Sequence, residues 1–173
     1  MAADVLIVYA SKRGSTEQVA RRIGEALRGQ GLSTKVEEAS DCRDLAGYRA
    51  VVLGGSIYFG RWHRDARGFL HRHRTALASL PLAVFALGPG KNTPEDFEES
   101  RKQFEAALEK AGGIEPRAVA VFGGAVDPEK FRFPFNRMPK TDIRDWEGIH
   151  SWALTLPAGL GLEVAPRTES VPA

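Results

Sequence analysis

"DVLIVYASKRGST", residues 4–16, decides how the rest of the chain is read. Its first half is an apolar run of the length of one buried strand, and its second half turns into a helix-periodic stretch. Val19, Ile23 and Leu27 recur every four residues on one face of that helix, and Gly29 and Gly31 supply its stop. Between strand and helix stand Lys12, Arg13, Gly14 and three hydroxyl residues, Ser11, Ser15 and Thr16. Two cations, a glycine and three hydroxyls at this turn suit a phosphate, because the first N–H groups of a helix lack partners and its dipole favours an anion.

The same alternation continues outward. "STKVEEA" (33–39) reads as an edge strand, "RAVVLGGS" (49–56) as a second buried strand, "LAVFALG" (82–88) as the next and "RAVAVFGGA" (117–125) as the fifth. Between them, residues 63–79 are helical with Ala66, Leu70, His73 and Leu77 on one face, ended by Pro81. Thr93-Pro94-Glu95-Asp96 is a helix start, with Phe97, Phe104 and Leu108 buried behind it. Trp146, Ile149, Ala153 and Leu156 mark the last helix, and beyond Pro157 the composition turns to Gly, Pro, Ser and Thr. Short apolar runs alternating with helices predict an α/β fold, a parallel sheet covered on both faces. Residues 1–162 form one domain, and 163–173, rich in Pro, Ser and Thr, read as a flexible tail.

Which phosphate loop this is follows from spacing. The sequence G-x-x-x-x-G-K-[ST] does not occur, and the dinucleotide fingerprint fails because only Gly14 follows the first strand. The remaining arrangement places a hydroxyl residue at the strand's end, a glycine in the turn and further hydroxyls at the helix start. In this it resembles the flavodoxin family, whose loop has the form [ST]-x-[ST]-G-x-[ST]; here Arg13 stands at the third position. The resemblance implies a flavodoxin-like three-layer sandwich with a five-stranded parallel sheet of order 2-1-3-4-5, binding FMN. In such sheets the ligand lies beyond the carboxyl ends of the strands, at the switch point of the strand order. The expected cofactor-binding residues are therefore Ser11, Lys12, Arg13, Gly14, Ser15 and Thr16 in the first loop. Ser56, Ile57, Tyr58, Phe59, Gly60 and Trp62 follow in the second, and Leu87, Gly88, Pro89 and Gly90 in the third. Tyr58, Phe59 and Trp62 are candidates for stacking on the flavin, or else ordinary core residues. "LGPGKN" (87–92) has no aromatic, so one face of the ring is expected to stay open.

Composition is that of a soluble globular domain, 43% apolar and 27% charged, with a net charge of +2 that does not argue for nucleic acid. The lone Cys42 excludes an internal disulfide and fits a reducing cytoplasm. "VLIVYA" is too short for a membrane span and has no basic region before it. Charge is uneven, however. "RWHRDARGFLHRHR" (61–74) carries five arginines and three of the four histidines against Asp65 alone, which predicts a cationic face near the cofactor, strengthened as histidines charge below neutral pH.

"VLIVYASKRGST", "GGSIYFGRWH" (54–63), "VFGGAVD" (121–127) and "TDIRDWEGIHSWA" (141–153) together resemble the menaquinone-dependent protoporphyrinogen dehydrogenase branch of the flavodoxin superfamily. That branch implies an FMN oxidoreductase of heme biosynthesis, with a carboxylate-bearing porphyrinogen as donor and a quinone as acceptor. The alternative is a non-catalytic electron carrier with an acidic redox partner protein. Where the branch commonly has a long insertion, "VDPEKFRFPFNRMPKTD" (126–142) is compact and broken by three prolines. Phe131, Phe133, Phe135 and Met138 either cover the edge of the core or form an apolar lip for a quinone or for peripheral contact with the inner membrane face. No residue suggests itself as a general base.

Overall fold

The computed structural model describes residues 2–111 and 113–164; most of the expected tail, from 165 on, lies outside them. Chain order gives β1 (Val5–Ala10), α1 (Ser15–Gly29), β2 (Thr34–Glu38), β3 (Ala50–Tyr58), β4 (Arg61–Trp62), α2 (Arg64–Arg72) and α3 (Arg74–Leu77). Then follow β5 (Leu82–Leu87), α4 (Pro94–Ala111), β6 (Ala118–Phe122), β7 (Ala125–Val126), β8 (Thr141–Asp142) and α5 (Trp146–Gly159). Five parallel strands line up as β2-β1-β3-β5-β6, the expected 2-1-3-4-5 order once the short β4 is set aside.

The central strands have no solvated face, so their apolar runs are continuous and alternate residues supply two cores. Leu6, Val8, Val51 and Leu53 pack with Phe69, Leu70 and Phe104 on the α2 and α4 side. Val5, Ile7, Val52 and Phe85 pack with Val19, Ile23, Leu27, Ile149 and Leu156 under α1 and α5. Fully burying one such side chain contributes about 1.5–3 kcal/mol, and these layers are the main source of stability. Gly54 makes room for Phe85: a Cβ built there would lie 1.9 Å from its Cζ. Strand β3 reaches the site without a side chain at that point because the facing phenyl ring already fills the layer.

Four details add to the expected elements or change them. The helix over 63–79 breaks at His73, whose backbone (φ −104°, ψ 16°) leaves the helical region while its ring packs on Phe69 at 4.6 Å. The last helix runs through Pro157 to Gly159, with the Pro157 ring buried, so apolar burial offsets the backbone hydrogen bond that proline cannot make. Trp146 begins that helix but is exposed and sits beside the Arg144 guanidinium rather than in the core. The fifth parallel strand ends at Phe122, and residues 125–126 pair instead with 141–142 in a separate hairpin, closing the irregular segment into a loop. Among the described residues no helix is long and apolar enough to cross a membrane.

Candidate functional site: a cofactor cleft at the strand ends

The loops after β1, β3 and β5 converge at the carboxyl edge of the sheet. The first does so with a left-handed Gly14 (φ 88°), a conformation that side chains disfavour, and Ser11 Oγ accepts the Gly14 N–H at 2.9 Å to hold the turn. No side chain caps α1, so its first amides keep their hydrogen-bonding capacity for something that binds there. Thr16 is fully buried and its Oγ1 has no protein partner. Ser56, at the end of β3, is in the same state: 5% exposed, with an unpartnered Oγ. Buried hydroxyls are nearly always hydrogen-bonded, so two unpaired ones at one sheet edge mark places shaped for a ligand.

Between them lies a mainly apolar cleft of about 230 Å³, lined by Ser15, residues 56–59, Leu87, Gly88, Gly90, Gly124, Ala125 and Val126, and covered by Phe131, Phe135 and Met138. An adjoining polar pocket of about 260 Å³ shares Ser15, Ala125 and Val126 and adds the cations Arg13, Lys130, Lys140 and Arg144, the carboxylates Asp127 and Asp142, and Gln18 and Thr141. One end of the site thus offers cations, hydroxyls and a helix N-terminus, and the other a flat apolar slot. Glycines shape the join: a Cβ on Gly88 would lie 2.8 Å from Ser100 Cβ, and one on Gly124 would lie 3.0 Å from Gly88 O.

The expected residues divide. Ser15, Ser56, Ile57, Tyr58, Phe59, Leu87, Gly88 and Gly90 line the cleft. Pro89 is buried and holds its wall, its carbonyl accepting the Gly124 N–H at 2.8 Å. Phe59 is 90% exposed, has a left-handed backbone (φ 46°) and meets Phe135 edge-on at 6.2 Å. Trp62 belongs to the core, not the cleft: it is 1% exposed, its ring packs on Phe104 at 4.9 Å, and its indole N–H donates to Gly55 O. Gly60 turns the chain away from the cleft, and Lys12 is exposed outside it.

Arg13 does not point at the pocket with its whole guanidinium. Nη1 donates to Lys130 O at 2.7 Å, its Cζ lies 3.6 Å over the Phe131 ring, and Lys130 Nζ returns a bond to Arg13 O at 2.9 Å. Arg144 is not among the expected binding residues. Its guanidinium grips Asp142 at 2.9 and 2.6 Å, holding that carboxyl below the usual range, and reaches Gln18 Oε1 and Ser15 O on α1. Nothing in the local sequence marks Arg144; its role comes from the hairpin that carries it back to the phosphate loop.

The cationic face borders the cleft without lining it. None of the five arginines of 61–74 lines the cleft; Arg61 and Arg67 border a separate groove, Arg64 is exposed, and Arg72 donates to Ala39 O. Burial pushes the pKa of His63 and of His73 below the ordinary histidine value, so these two oppose charging rather than add to the face.

The family model described as "Flavodoxin domain" matches residues 6–140. Protoporphyrinogen IX dehydrogenase (quinone) of Escherichia coli strain K12 is 26% identical over 170 residues, covering 86% of this chain and 91% of that protein. The protein of the same name from Leishmania major is 24% identical, covering 95% and 79%. Among solved structures, oxidised flavodoxin 2 from Bacillus cereus superposes with a TM-score of 0.55 at 22% identity, covering 92% of this chain and 98% of that one. A flavodoxin from the domain Archaea gives a TM-score of 0.58 at 13% identity, with 91% and 98% covered. FMN is the cofactor to which the family and these neighbours point. The residues present fit it: Thr16, Ser15 and the uncapped start of α1 suit the phosphate, and the slot between Tyr58, Phe59 and Gly88 suits a flat ring with Ser56 at its edge. With the match spanning strand β1 to the 126–142 loop, the chain belongs to the flavodoxin-domain family.

Proposed function

We propose that this oxidoreductase oxidises a porphyrinogen and passes the electrons to a quinone, with FMN between them. The observation that carries the reading is the rim of the cleft, where Phe59, Phe135 and Met138 stand exposed around the apolar slot. A carrier that only docks to a protein has no need of an apolar rim, whereas flat apolar reactants can pack on one. The curated relatives carry the matching name.

Bound FMN supplies the two-electron chemistry, and the chain's contribution is to bind, orient and shield. Ser15, Thr16 and the first amides of α1 would hold the phosphate, with Lys130 and Arg144 adding charge beside it. The Ser56 hydroxyl, buried and unpaired, would be free to hydrogen-bond the edge of the ring. Phe59, Phe135 and Met138 exclude water from the exposed side and give a flat reactant its surface. Among the described residues the apolar cleft is lined by no carboxylate, histidine or cysteine, and the carboxylates Asp127 and Asp142 belong to the adjoining polar pocket; protons leaving the donor would pass to the acceptor or to water. Each two-electron oxidation of the donor is balanced by reduction of one quinone to quinol, with two protons taken up.

The test is an anaerobic assay of FMN-loaded protein with protoporphyrinogen and a menaquinone analogue, following porphyrin fluorescence against free FMN. Turnover well above the free-flavin rate is expected. A rate equal to that control, with FMN demonstrably bound, would replace this reading with that of an electron carrier.

A further inference from the structure

On the other side of the β3–β4 turn from the cofactor cleft lies a groove of about 540 Å³. Its lining includes four cations, Arg61 and Arg67 from one side and Lys102 and Lys110 from α4, and no carboxylate. Lys102, Ala106 and Lys110 are spaced four apart and so lie along one helical face, with Gln103 and Ala107 beside them. Ala106 and Ala107 supply an apolar floor between the charges, and the buried Trp62 meets it only at its edge.

These cations are little neutralised by the protein. Lys102 has a single loose ion pair, to Glu98 at 3.7 Å, with both side chains well exposed. Neither Arg61 nor Lys110 forms an ion pair among the described residues. Arg67 donates Nε to Trp62 O at 3.1 Å, which anchors its guanidinium at the groove while using one of five N–H donors. Converging like charges repel one another, and an anion between them relieves that repulsion. A cavity of this size lies within the range of small-molecule sites, roughly 300–1,000 Å³.

We propose that this groove is a second binding site, for a small molecule that carries two or more anionic groups on a compact apolar body. The anionic groups meet the paired cations at the two ends, and the apolar body lies on the two alanines of α4 and the alkyl stems of the lysines that flank them. The site is separate from the FMN cleft but adjacent to it: Phe59 lines one and Gly60 the other, so a single turn divides them. The inference is independent of what the FMN oxidises, because it concerns only this groove.

The test uses FMN-loaded protein and pyrene-1,3,6,8-tetrasulfonate, a flat fluorescent polyanion, with binding read by fluorescence anisotropy. Saturable binding is expected, weakened at least about tenfold in Lys102→Glu/Lys110→Glu, where four units of charge change on two exposed helix positions. Lys102→Gln/Lys110→Gln, which cannot repel the probe, should fall between the two and guards against a folding artefact. FMN affinity is expected to be the same in all three proteins. Citrate at equal ionic strength, a polyanion without the apolar body, should bind at least about tenfold more weakly. Equal probe affinity in wild type and both variants, or displacement of the probe by excess FMN, would overturn the site; citrate binding as tightly as the probe would overturn its apolar half.

Discussion

On one side of the cofactor cleft, residues 11–16 form a turn and a helix start whose shaping contacts are local, such as Ser11 Oγ with the Gly14 N–H. On the other side, residues 124–144 reach the same place across more than a hundred residues, as in the reciprocal bonds between Arg13 and Lys130, 117 apart in the chain. The first wall is a motif and was legible from the order of residue types. The second is an assembly: a hairpin (β7 and β8), two short helical turns and an arginine that folds back onto α1. Its composition suggested an apolar lip but not which side chains would arrive. Phe131, Phe135 and Met138 line the cleft, while Phe133 stands 70% exposed beside Arg137.

If the first wall exists to hold a phosphate, its buried hydroxyl matters to the ligand and not to the fold. Thr16→Val keeps the shape and removes an Oγ1 that has no protein partner. FMN affinity should fall roughly tenfold to a hundredfold, the scale of a hydrogen bond to a charged group, at about 1.5–3 kcal/mol. Stability of the FMN-free protein should hold or rise, because an unsatisfied buried hydroxyl is gone. Flavin fluorescence titration and urea unfolding measure the two; an unchanged FMN dissociation constant would remove Thr16 from the site.

The second wall responds differently. Arg144→Ala takes away a guanidinium that binds Asp142, Gln18 and Ser15 O together, so hairpin and phosphate loop lose their common tie. FMN affinity is expected to fall about tenfold, and stability to fall as well, by about 1 kcal/mol. The contrast is the point: Thr16→Val separates binding from stability, and Arg144→Ala couples them. Proteolysis between 127 and 140, faster in the variant, would locate the loosening; unchanged cleavage there would show that the tie is dispensable.

Phe59 sits where the walls meet and has the backbone cost of a left-handed non-glycine residue, about 1–2 kcal/mol. Asparagine tolerates that conformation, so Phe59→Asn should leave stability within about 0.5 kcal/mol while losing the exposed ring. A several-fold rise in the quinone KM with an unchanged unfolding midpoint would assign the ring to the reactant. A large loss of stability would instead make it part of the fold.

The sheet was readable because every buried strand is an uninterrupted apolar run and each crossover helix keeps its period. The placements of Trp62 and of the arginines differ from expectation for one reason: residue type does not say which side of a turn a side chain takes. Trp62, four residues after Tyr58, crosses to the core because Gly60 (φ 74°) turns the chain there and leaves its indole facing Gly55 O. The arginines of 61–74 follow it to that side, so the cationic surface lies beyond the turn from the flavin slot.

The smallest predicted effect concerns that turned-away segment. His63 is buried and caps α2, its Nδ1 accepting the Asp65 N–H at 3.1 Å, while Nε2 has no protein partner. Burial holds its pKa down, and the nearby Asp65 carboxylate only partly opposes this. The unfolded chain therefore takes up the proton first. Stability from this group is complete above the ordinary histidine pKa of about 6.5 and is lost as pH falls from there toward the depressed folded value. His63→Asn keeps an oxygen acceptor for the N-cap and removes the proton site. Its urea midpoint should drop less than the wild type's between pH 7 and 5, with His73, also held down by burial, retaining part of the slope. Equal drops in both proteins would mean that His63 charges without cost in the folded state, and its proton would then be held by Asp65 rather than resisted by the core.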